Sequence, residues 1–136
     1  MRVGYCVGNP ELIGALDKIR DSYNVNGLGQ VAALETLGNL KYYHENFRRV
    51  IATRERLSAA LEKFGFEVLP SQANFILARP PKFAAEKWLE RFRDRKILVR
   101  WFQYPEVRDY LRISIGNDKE ANALLRAVKS ILSLPS

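Results

Sequence analysis

The chain has 136 residues, 22 Lys+Arg against 15 Asp+Glu for a formal net charge of +7, and is 47% hydrophobic and 27% charged. That is about one globular domain able to bury a core, and no apolar run approaches the ~18–20 residues that span a bilayer. The cations are interleaved with acids in "RRVIATRERL", "EKWLERFRDRK" and "NDKEANALLRAVK", which reads as solvated helix faces and excludes a nucleic-acid stripe as the leading interpretation.

In "MRVGYCV" the alternation of Val3, Tyr5 and Val7 predicts a strand already under way at the first residues. Cys6 lies within it as a buried, inert thiol; as the single cysteine it forms no internal disulfide, and the expected address is the cytoplasm. A helix follows in "GNPELIGALDKIR", with Asn9 as N-cap, Pro10 at its first position, Glu11 in its first turn, and Leu12, Ile13, Leu16 and Ile19 on one face. "DSYNVNGLG" reads as a loop. The helical pattern resumes at Gln30 and weakens at Gly38-Asn39. It then runs long through Phe47, Val50, Ile51, Leu57, Leu61 and Phe64 to Gly65, a left-handed terminator.

The period then changes to two. "FEVLP" and "ANFILARP" are strands; "KFAAEKWLERFRDRK" is an amphipathic helix with Phe83, Trp88, Leu89 and Phe92 inward; "ILVRWF" and "YLRISIG" are strands joined by "QYPEVRD". Asn117 or Asp118, with Glu120 close behind, announces a last helix through Ala121, Leu124, Leu125, Val128 and Leu132. The later block is one sheet covered by helices, and the front strand has no evident sheet of its own.

Chemistry is sparse. One cysteine and one histidine leave no metal-ligand set, and His44 in "KYYHEN" reads as a surface residue. The glycines of "NGLG" lack the spacing of a phosphate loop. What stands out is arginine in or beside apolar strands: Arg2 in "MRVGY", Arg100 in "ILVRWF" and Arg112 in "YLRISIG". Each must be paired, lie at an edge or meet an anion, and the planar guanidinium fork suits carboxylate or phosphate.

The same segments, "MRVGYCVGNPELIGALDKIRDSYNVNGLGQVAAL", "PSQANFIL", "ILVRWF" and "YLRISIG", resemble the carboxy-terminal part of fold-type I pyridoxal-phosphate aminotransferases, and within them the histidinol-phosphate aminotransferases. The resemblance implies an α/β protein with three parts. Residues 1–40 are a remnant of the large cofactor-binding domain, 41–65 the long connecting helix, and 66–136 a small α+β domain. It implies Arg2 on the cofactor phosphate, and Arg112, Arg100, Asn24 and Tyr23 on the substrate side. The implied reaction is amino transfer between histidinol phosphate and 2-oxoglutarate, giving imidazole acetol phosphate and glutamate in histidine biosynthesis, by a homodimer with no nucleic-acid or membrane partner. The lysine that carries the cofactor lies upstream in that family. Lys18, Lys41 and Lys63 read as solvated, so no catalytic residue is assigned and the isolated chain is expected to be inactive. Its first strand and two helices are expected to expose an apolar face that drives self-association. Alternatives are a threonine-phosphate decarboxylase of the same fold and a stand-alone non-catalytic ligand- or protein-binding module.

Overall fold

The computed structural model describes residues 3–135. These fall into two compact units, 3–45 and 46–135.

In the first unit, α1 (Pro10–Ile19) starts where the Asn9 side chain accepts a hydrogen bond from the Glu11 amide at 2.8 Å, with Pro10 in the first turn. None of its residues is buried. A second helix, α2 (Gly27–Gly38), begins three residues before the resumption read at Gln30, because Asn26 caps it by accepting from the Gly29 amide at 2.7 Å. Gly29 is buried, and a Cβ there would sit 3.2 Å from a Val3 methyl and 3.3 Å from both Asn26 and Val25.

Residues 3–9 correct two expectations. They form no strand among the described residues, since a strand is defined by ladder partners and the alternation of Val3, Tyr5 and Val7 finds none. Cys6, expected to be buried in that strand, is exposed for the same reason, as nothing packs over it.

The long helix is α3 (Leu40–Lys63), which begins in the first unit and ends in the second. Gly65, at φ +85°, terminates it in the left-handed region. There follow β1 (Glu67–Val68), β2 (Phe75–Arg79), α4 (Ala85–Asp94), β3 (Arg100–Trp101), β4 (Leu111–Ser114) and α5 (Asp118–Leu132). The four strands form one antiparallel sheet in the order β1-β2-β4-β3. Of "ILVRWF" only Arg100 and Trp101 pair, with Arg112 and Leu111 of β4.

Register divides the sheet into two faces. Ile76 opposite Ile113 and Ala78 opposite Leu111 turn inward. They meet Leu57 and Leu61 from α3, Trp88, Leu89 and Phe92 from α4, and Leu124, Ala127, Val128 and Ile131 from α5. Each large apolar side chain buried there contributes ~1.5–3 kcal/mol. Trp88 is fully buried because its indole N–H finds the Pro81 carbonyl at 2.9 Å, and its ring packs edge-on to Phe66 at 5.0 Å. At the start of α5, Asn117 accepts from the Glu120 amide at 3.0 Å and Glu120 accepts from the Asn117 amide at 2.8 Å, a reciprocal capping box.

Candidate functional site

The other face of the sheet carries the polar residues of the same strands. Leu77 lies opposite Arg112, and Arg112 lies opposite Arg100. Phe75, Leu77 and Arg112 are half-buried there, whereas Arg79, Arg100 and Ser114 are exposed. The Arg112 guanidinium carbon sits 4.0 Å from the centre of the Phe75 ring. That cation–π contact orients the planar fork while leaving its N–H edge undirected by any carboxylate. Among the described residues, neither Arg112 nor Arg100 has an acidic partner within ion-pair distance.

Two like charges directly opposite one another in a ladder destabilise a sheet. Arg100 and Arg112 hold that arrangement without a compensating acid. Such a pair can take one anionic group between two forks, or two anionic groups of one small molecule.

Beside them stands a third arginine whose charge is already spent. Arg79 Nη2 donates to Glu67 Oε2, and the Tyr110 hydroxyl donates to Glu67 Oε1 at 2.9 Å. The hydrogen bond to Glu67 raises the Tyr110 phenol above its usual 10.0, with desolvation and the Glu67 charge acting in the same direction and Arg79 against it. The phenol is therefore a donor throughout the neutral range.

Arg100 and Arg112, both singled out from sequence, thus share one sheet face. Tyr23 and Asn24 lie in the other unit, in the turn between α1 and α2; Tyr23 is 96% exposed and Asn24 is exposed. Arg2 lies outside the described residues. Phe75 and the Glu67–Arg79–Tyr110 cluster were missed. The alternation of Phe75, Leu77 and Arg79 in "ANFILARP" places all three on one face and was the available signal.

The resemblance noted above implies pyridoxal phosphate, which needs an amine for its aldehyde and cations for its phosphate. No lysine occupies a ladder position on the arginine face. Lys18, Lys41 and Lys63 are exposed on helices. Among the described residues, then, the face fits an anionic group and does not fit the aldehyde end of the cofactor.

Comparison with known proteins gives this geometry a family. The chain is 40% identical over 132 residues to histidinol-phosphate aminotransferase from Microcystis aeruginosa, covering 97% of this chain and 38% of the relative. It is 44% identical over 138 residues to that from Aromatoleum aromaticum, again covering 97% of this chain and 38% of the relative. The chain therefore spans less than two-fifths of the length of these relatives. Among solved structures it is similar to histidinol-phosphate aminotransferase from Sinorhizobium meliloti in complex with pyridoxal-5'-phosphate, with a TM-score of 0.76 and 26% identity over 90% of this chain and 35% of that one. The fold matches the carboxy-terminal part of fold-type I aminotransferase structures. Because the sequence model of aminotransferase class I and II matches residues 1–128, the chain belongs to that family.

Proposed function

We propose that this chain forms the substrate-binding side of a pyridoxal-phosphate-dependent aminotransferase acting on histidinol phosphate and 2-oxoglutarate. The observation that carries this reading is Arg112, oriented on Phe75 and opposite a second unpaired arginine. Arg112 holds the anionic group of the substrate, and Arg100 is a further arginine on the substrate side. Arg2 holds the cofactor phosphate, and Tyr23 and Asn24 contribute to the substrate side from the turn after α1. Both substrates are anions, so one pair of guanidiniums serves both half-reactions. The cofactor supplies the electron sink. Among the described residues no amine stands at a ladder position of the arginine face, and the 136-residue chain is inactive by itself. The complete protein acts as a homodimer in the cytoplasm.

The test uses the polypeptide containing this segment, isolated from its own cells and identified by intact mass. Amino transfer from histidinol phosphate to 2-oxoglutarate is followed in the native protein and in Arg112→Ala and Arg112→Lys. Loss of a charge-assisted bidentate contact costs about 1.5–3 kcal/mol, so Arg112→Ala raises KM by roughly 10- to 100-fold, with a smaller rise for Arg112→Lys. An unchanged KM, or no transfer by the native polypeptide, refutes the reading.

A further inference from the structure

The register sets the arginine face in rows. Glu67 lies opposite Arg79, and the ladder pairing Ala78 with Leu111, continued by one residue, sets Tyr110 beside Arg79. The next row is Leu77, Arg112 and Arg100. Glu67 is the one acidic residue at a ladder position of the described sheet.

Neighbouring strands are ~4.8 Å apart and alternate residues ~6.8 Å, which separates the backbones of Glu67 and Arg112 by about 12 Å. A glutamate and an arginine leaning toward each other over Leu77 span that gap. An intramolecular carboxylate within reach competes with a free anion at an effective concentration on the order of millimolar. Left loose, Glu67 would be a built-in competitor for the substrate's place on Arg112.

It is not loose. Arg79 takes one of its oxygens and the Tyr110 hydroxyl the other. Arg112 leans onto Phe75, one row further from Glu67. We propose that Arg79 and Tyr110 are positioning residues that withhold the Glu67 carboxylate from Arg112 and thereby set how tightly this face takes an anionic substrate group. This rests on the reading of Arg112 as the anion-binding residue.

The test is a titration of the full 136-residue chain with inorganic phosphate, following the Arg112 Nε–H resonance by NMR. In Arg79→Gln/Tyr110→Phe the freed carboxylate weakens phosphate binding about fivefold, the range of an exposed ion pair. Adding Glu67→Gln restores it. Adding Glu90→Gln, which changes net charge equally from an exposed position on α4, does not. Tyr110→Phe alone, which keeps the ring and the Arg79 pair, gives a shift of about twofold in the same direction, and decides the matter if the double variant does not fold.

A merely structural role for the cluster is distinguished by the rescue, because Glu67→Gln cannot rebuild a lost scaffold contact. Unchanged affinity in the variants, or equal restoration by Glu67→Gln and Glu90→Gln, overturns the clamp while leaving Arg112 as the anion-binding residue. Failure of the Arg112 resonance to respond to phosphate in the unaltered chain overturns that assignment, and the clamp with it.

Discussion

Arg100 and Arg112 face one another across β3 and β4 with no acid paired to either among the described residues. Function and stability therefore pull in opposite directions at this pair. Replacing Arg100 with Gln removes a cross-strand repulsion, which stabilises the chain by about 0.3 kcal/mol. It also removes half of an anion site. The melting temperature without added anion is expected to stay level or rise slightly, whereas the rise produced by phosphate, which reports binding to the native state, shrinks. Thermal melts with and without phosphate measure both quantities. A fall in the anion-free melting temperature of Arg100→Gln, with the phosphate increment intact, would assign Arg100 to structure and not to ligand.

Among the elements, α5 shows how local chemistry is read most directly. Asn117 and Glu120 satisfy one another's amides, and Gly116 leaves room for this: a Cβ there would lie 2.4 Å from the Glu120 carboxylate. Asn117→Ala should cost about 1 kcal/mol in a denaturant titration, while Asn117→Ser should cost less because a hydroxyl can still accept the Glu120 amide. Equal losses for both would deny the cap its role. The starts of α1 and α5 are legible for this reason: Asn9 and Asn117 each act within three residues of themselves. Asn26 acts over the same distance on Gly29, yet its segment reads as loop because cap and loop favour the same residue types. Strands are less legible, since Val3, Tyr5 and Val7 alternate as a strand does yet pair with nothing described, and only Arg100 and Trp101 of "ILVRWF" enter the ladder. The arginines were conspicuous by their apolar neighbours. Their mutual placement, the Phe75 platform and the hold on Glu67 depend on register across strands far apart in sequence, which one chain's residue pattern does not contain.

At the scale of the whole chain, burial is unevenly shared. Every hydrophobic core residue from Leu57 to Ile131 lies in the unit 46–135, while α1 buries nothing and α2 buries only Gly29. Leu12, Leu16 and Ile19 form an exposed stripe on α1; Leu28, Val31, Leu34 and Leu37 are exposed on α2, and Tyr5 is 89% exposed. Apolar surface of this extent favours association. The net charge of +7 opposes it, and added salt screens that repulsion over about 10 Å at 0.1 M. Self-association of the 136-residue chain should therefore increase with concentration and with ionic strength, the sign opposite to that of an assembly held by ion pairs. Sedimentation velocity across a concentration series at two salt levels measures this. Leu12→Lys with Leu16→Lys places charge on the α1 stripe, in the unit that holds none of the core residues, and should shift the distribution toward monomer without altering the unfolding of residues 46–135. A monodisperse monomer at high protein and salt would mean that this exposed surface does not drive association.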